Sequence, residues 1–214
     1  MKSCRRMIWL LVLLSSPLAG AQDKPALPGW LDYQAGNYTA AFRQFQAGAE
    51  RGERVAQYDL AMLYWRGEGV ARNQPVALKW LHLAAAQDLS SAQFVLAQIY
   101  ESGDGVGRNM EEATRLFAAA ARQGHRDAQV SIATQYYLGR GIAQDYAKSA
   151  YWYRKAAVQG DVGAQYLLAS QYEHGLGVAV DWREAVRWYA RAGAQGDRAA
   201  LLKAQALQAE HASR

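Results

Sequence analysis

The side chains of this chain that could do chemistry are few, and their spacing groups none of them. Its four histidines, His82, His125, His174 and His211, share no ligand spacing and read as surface or packing residues rather than a metal set. Glu111 and Glu112 are paired carboxylates, but they sit side by side where a helix is expected to start, and there acidic residues complement the N-terminal dipole. The run Gly103-Asp104-Gly105-Val106-Gly107 has the look of a phosphate-cradling loop. It follows a predicted helix instead of a strand, which removes the geometry such a loop needs. Glu68 and Asp104 hold one place in the pattern where Arg140 and Leu176 stand later, so they build no carboxylate array. No H-E-x-x-H, G-x-S-x-G, Walker or S-x-x-K motif occurs. No catalytic, cofactor-binding or metal-ligating residue is assigned, and the expectation is a chain without enzymatic activity or cofactor.

What the sequence does contain is a period of 36 residues. From Ala164 to Gly196 it reads A-Q-x-x-L-A-x-x-Y-x-x-G-x-G-V-x-x-D-x-x-x-A-x-x-W-x-x-x-A-x-x-x-G. The same landmarks recur one, two and three periods upstream. The glutamines are Gln57, Gln93, Gln129 and Gln165, and strict repetition points to hydrogen bonding between repeats. The turn glycines are Gly67 and Gly69, Gly103 and Gly105, Gly139 and Gly141, Gly175 and Gly177. Trp80, Trp152 and Trp188 keep the tryptophan place, with Leu116 in the second unit.

One unit spells a helical hairpin. Ala164, Leu168, Ala169 and Tyr172 fall on one face of a 3.6-residue period, which makes helix A amphipathic. Gly175-x-Gly177 supplies positive-φ positions that end the helix. Asp181 suits an N-cap for helix B, Glu184 completes a capping box, and Gly196 suits the helix end. A lone hairpin cannot bury its apolar faces, so neighbours must stack. The expected fold class is all-α: a right-handed α/α solenoid (superhelix) of stacked antiparallel helical hairpins.

These residues resemble the Sel-one-like repeat (SLR), a relative of the tetratricopeptide repeat with a longer unit. The resemblance covers four units, 56–91, 92–127, 128–163 and 164–199, flanked by a degenerate N-terminal repeat over 30–55 and a C-terminal capping helix over 200–214 with a more polar outer side. Ser149 replaces a helix B alanine, Gly193 replaces the second alanine of a pair, and Asp88 replaces a closing glycine and is expected to loosen the first junction.

Residues 1–21 carry Lys2, Arg5 and Arg6, the apolar run Met7 to Leu14, and small residues ending in Ala19-Gly20-Ala21. That is the layout of a signal peptide cleaved after Ala21, with 22–29 as a linker. The apolar run is shorter than the roughly 20 residues of a membrane span. The expected location is periplasmic or secreted, by the general secretory or the twin-arginine route. The lone Cys4 would leave with the leader. Taking the three charges of Lys2, Arg5 and Arg6 from the formal +5 leaves +2, too little for nucleic-acid or anionic-membrane binding.

The side of helix A opposite the landmarks carries Tyr58, Met62, Trp65, Phe94, Tyr137 and Tyr166 at positions that vary between repeats. These are the candidate partner-binding residues, with Trp65 and Tyr137 expected to be most exposed. In related solenoids the A helices line a concave binding groove, so the resemblance implies a scaffold or adaptor for a protein or peptide of the cell envelope. The alternative is a hydrolase acting on cell-wall material or β-lactams, as claimed for disulfide-rich SLR relatives, whose cysteines this chain lacks.

Overall fold

A computed structural model of the chain describes residues 29–212. The predicted leader and all but the last residue of the predicted linker lie outside the described residues. Eleven helices and no strand occur among those described: α1 (Trp30–Gln34), α2 (Tyr38–Glu50), α3 (Arg54–Arg66), α4 (Gln74–Ala86), α5 (Ser90–Ser102), α6 (Met110–Arg122), α7 (Arg126–Leu138), α8 (Tyr146–Val158), α9 (Val162–His174), α10 (Trp182–Ala194) and α11 (Arg198–Ala212). The fold class is an all-helical solenoid in which consecutive helices pack on one another. The chain divides into two compact units, Met1–Leu116 and Phe117–Arg214. Odd-numbered helices from α3 onward are the A helices and even-numbered ones are the B helices.

The turn between A and B is built the same way in every repeat. The A helix ends on a left-handed glycine, Gly67, Gly103, Gly139 or Gly175. Nine residues after the landmark tyrosine, the amide N–H of the B-helix N-cap donates back to that tyrosine's carbonyl: Asn73 to Tyr64 and Asn109 to Tyr100 at 2.9 Å, Asp145 to Tyr136 and Asp181 to Tyr172 at 3.0 Å. The N-cap side chain then accepts from an amide in the first turn of helix B, as Asn73 does from Val76 and Asp145 from Lys148. Both ends of the loop are thereby closed by backbone groups that would otherwise lack partners.

The second turn glycine faces a different demand. A Cβ on Gly177 or Gly69 would overlap the backbone carbonyl of Tyr146 or Tyr38, the first residue of the preceding B helix. At Gly105 the equivalent neighbour is the Gln74 side chain, 3.5 Å away. Backbone thus meets backbone at two of these junctions, and only a hydrogen fits there.

The landmark glutamine ties three helices together. In the second unit, Gln129 Nε2 donates to the Ala121 carbonyl (3.1 Å) and Gln165 Nε2 to that of Ala157 (3.0 Å), each on the preceding B helix. Their Oε1 atoms accept from Gln159 Nε2 (2.8 Å) and Gln195 Nε2 (2.9 Å), at the end of the repeat's own B helix. The first unit repeats this with Gln57, which donates to Ala49 and accepts from Gln87. Asp88 does not break the series. It adopts φ 57, in the left-handed region where Gly52, Gly124, Gly160 and Gly196 lie, and aspartate tolerates that region better than most residues. The amide of Leu89 still reaches Ala84 across this turn at 3.2 Å, as His125 reaches Ala120, and Asp88 Oδ1 accepts from Gln93 Nε2. The expected loosening is therefore offset by a side-chain hydrogen bond.

Two further departures from the repeat have local causes. Ser149, fully buried, takes a hydrogen bond from Gln171 Nε2, which stands where the first unit has Leu63 and Ile99. Gly193 lets the next helix in, since its Cβ would lie 3.0 Å from Leu201 Cα. The core of the second unit is alanine-rich, with Leu168, Tyr172, Trp188, Tyr189 and Leu207 filling the space between close helices.

Gly177→Ala should destabilise the fold by about 3 kcal/mol or more, whereas Gly105→Ala should cost about 1–2 kcal/mol, since both carry the left-handed penalty but only the first meets backbone. Denaturant midpoints of the two variants would separate these values. Gln165→Ala should cost about 1–3 kcal/mol by leaving the Gln195 amide without its acceptor, with Gln195→Ala adding little on top of it in a double-mutant cycle.

Candidate functional site

The six candidate residues do not form one exposed surface. Tyr58 and Met62 are buried, Phe94 is buried, and Trp65, expected among the most exposed, retains 4% of its surface. Large apolar side chains contribute most when removed from water, and these four have been removed. Burial raises the Tyr58 hydroxyl well above an ordinary phenol, and the neighbouring Asp59 carboxylate adds to this. Tyr137 and Tyr166 differ: both are only part-buried.

In the second unit, therefore, the A-helix face offers Tyr137 on α7 and Tyr166 on α9. Each ring is held from the side by an aromatic of a B helix. Tyr137 meets Tyr146 edge-on at 5.3 Å between centroids, and Tyr166 meets Tyr189 at 5.1 Å. Gln144 Nε2 braces the first pair by donating to the Tyr137 carbonyl and the Tyr146 hydroxyl. Rings fixed in this way lose little conformational freedom when they bind.

Polar groups lie beside them. Thr134 Oγ1 and Tyr153 Oη are 2.9 Å apart, and Tyr189 Oη donates to Glu173 Oε2 at 2.7 Å. Tyr153 and Tyr189 come from B helices and are themselves buried, with 2% and 1% of their surface exposed. They were not singled out in the sequence, yet a signal was present: they occupy the register of Leu81 and Phe117, so a hydroxyl appears only in the later repeats. Ser170 and Glu173 complete the set, and Gln135, 2% exposed, keeps both amide atoms without a hydrogen-bond partner.

Glu173 also receives Lys203 Nζ at 2.9 Å, which joins α11 to α9. Burial alone would raise its carboxyl, but the hydrogen bonds from Tyr189 and Lys203 outweigh that and hold it below the ordinary value of 4.5. Tyr189 moves the other way, raised by burial and by the same carboxylate. Among the described residues no group of three or more His, Cys, Asp or Glu is placed to hold a metal ion. No helix there is long and apolar enough to cross a membrane.

Comparison with known proteins agrees with the repeat geometry. The Sel1 repeat model matches residues 54–89, 90–125, 126–161 and 162–197. The chain belongs to the Sel1 repeat family. Those four matched segments coincide with the A-turn-B hairpins beginning at α3, α5, α7 and α9. Among solved structures, a Sel1 repeat protein from Oxalobacter formigenes shares 34% identity at a TM-score of 0.78, over 82% of this chain and 72% of the other. A protective antigen present in uropathogenic Escherichia coli strains, displaying an SLR fold, shares 32% identity at a TM-score of 0.75 over 79% of this chain. This chain spans 38% of that antigen's length. No curated protein sequence matches. Sel1 repeats generally act as non-catalytic scaffolds that mediate protein interactions.

A folded-state carboxyl below its unfolded value contributes stability above the unfolded value and loses it as pH falls through the folded one. Acid should therefore weaken, without abolishing, the docking of α11 in a transition below about pH 4. In Glu173→Gln the stability at pH 7 should drop by about 1 kcal/mol and the acid dependence of α11 hydrogen exchange should flatten.

Proposed function

We propose that this chain is an exported, non-catalytic Sel1 repeat scaffold that binds an extended segment of another envelope protein on the A-helix face of its second unit. The observation that carries this reading is the pair of half-buried tyrosines, Tyr137 and Tyr166, each preset by a neighbouring ring. Tyrosine is enriched at the energetic centres of interfaces because it brings large area with few rotatable bonds and a hydrogen-bonding tip. Thr134 and Ser170, both part-exposed, supply hydroxyls for a peptide backbone beside those rings. Family membership supports a binding role rather than a reaction. The leader-like N-terminus supports export to the periplasm or beyond, and the small net charge of the remainder is compatible with a partner recognised by shape and hydrogen bonding.

Selection of random peptides against the intact chain tests the reading directly. Binders should emerge whose affinity falls tenfold or more on Tyr137→Ala or Tyr166→Ala. Tyr151→Ala, which removes an aromatic 53% exposed on the B helix α8, should leave them unchanged. Peptides indifferent to both groove tyrosines would refute the assignment of this face.

A further inference from the structure

The formal charge of +2 over residues 22–214 hides an uneven distribution. Helices α8 and α10 together carry Lys148, Arg154, Lys155, Arg183, Arg187 and Arg191 against a single carboxylate, Glu184. Six cations less one carboxylate give these two helices +5, so the rest of 22–214 sums to −3. All six cations are exposed. The two helices lie side by side in the same direction, because they are tied at both ends. Gly177, in the turn before α10, abuts Tyr146 at the start of α8. At the other end Gln165 bonds both Ala157, near the end of α8, and Gln195, just past the end of α10.

Two of the six are engaged locally: Lys148 pairs with Asp145 at 3.1 Å and Arg187 with Glu184 at 2.6 Å. The other four, Arg154, Lys155, Arg183 and Arg191, make no ion pair among the described residues, and each lies over an aromatic ring instead. Arg183 stands 4.5 Å from the Trp182 ring centroid and Arg191 4.5 Å from that of Trp188. Arg154 lies 5.5 Å from the Tyr172 centroid and Lys155 5.5 Å from that of Tyr151. In this arrangement the stems cover the rings while the charged heads stay in water. Ring packing accounts for the stems. It does not account for four uncompensated heads on adjacent helices, in a segment whose remaining residues are net acidic.

We propose that this B-helix face docks an acidic segment of a partner protein, a helix whose carboxylates stand one turn apart. Arg183, Arg187 and Arg191 follow one another at four-residue spacing, which sets them about 6 Å apart along α10. Glutamates at i, i+4 and i+8 of a partner helix repeat that spacing, and a guanidinium takes a carboxylate through two N–H groups at once. Heads held over rings before contact lose little side-chain freedom on binding. A fluid layer of anionic headgroups gains nothing from such a fixed spacing. The outer stripe of α10 also offers only Ala190 and Ala194 among its arginines, with no large apolar side chain to enter a bilayer. A nucleic-acid strand would need open ring faces for its bases. Tyr172 and Trp188 instead keep 8% and 4% of their surface, and Trp182 is engaged by Arg183 and by the stacked His211. This docking is separate from the face of Tyr137 and Tyr166 and does not depend on that assignment.

Fluorescence anisotropy with the full chain and a labelled helical peptide carrying three glutamates at successive four-residue steps tests this. Binding should have a dissociation constant on the order of 100 μM at about 50 mM salt and weaken about tenfold at roughly 200 mM. Arg183→Gln and Arg191→Gln, which keep most of each stem over its ring, should each weaken it about threefold. Arg187→Glu should weaken it about tenfold, and a peptide whose middle glutamate is lysine should restore the affinity, which a folding defect could not produce. Arg51→Gln and Tyr137→Ala should leave binding unchanged. Equal binding by a peptide of the same composition with its glutamates scattered around the helix would overturn the proposal. So would tighter binding to phosphatidylglycerol vesicles or to oligothymidylate, indifference to salt or to the arginine variants, or no binding at about 50 mM salt.

Discussion

The side-chain amide of the helix A glutamine sits where three helices meet, and it is buried. An amide in that position destabilises the fold unless both ends are bonded, because desolvation of an unpaired donor or acceptor costs about 1–3 kcal/mol. Gln165 meets that condition by donating to Ala157 and accepting from Gln195. The first partner lies eight residues back and the second 30 residues on, so one side chain fixes the register of three helices at once. A shift of either neighbour by one residue would break both bonds. The 36-residue period is held by this requirement as much as by apolar packing, which is tolerant of small displacements.

Much of this was legible before any coordinates, and for an identifiable reason. Residues such as Gly177, Asp181 and Gln165 answer a local or nearest-neighbour demand, which each repeat poses again, so the answer recurs at a fixed spacing. Exposure is not of that kind. Trp65 and Tyr137 hold the same place in A helices two repeats apart, yet one is buried and the other only part-buried. What covers a side chain depends on the whole arrangement around it, and a repeat period carries no record of that. The phenols of Tyr153 and Tyr189 were hidden for a related reason: they lie on helix B and act on helix A, so a reading that assigns each helix one inward face passes over them.

The departures from the repeat fall into two groups. Asp88, Ser149 and Gly193 each keep the architecture intact by a local substitution: a tolerated left-handed turn with a side-chain bond, a hydroxyl facing Gln171, and a missing methyl where Leu201 comes close. Thr134, Tyr153, Ser170 and Tyr189 do something else. They put hydroxyls where earlier repeats have Met62, Gln98, Leu81 and Phe117: the buried Tyr153 and Tyr189 phenols pair with Thr134 and Glu173, while Thr134 and Ser170 stay part-exposed. The two phenols thus answer to the fold, and the part-exposed Thr134 and Ser170 are the hydroxyls of this group left within reach of a ligand.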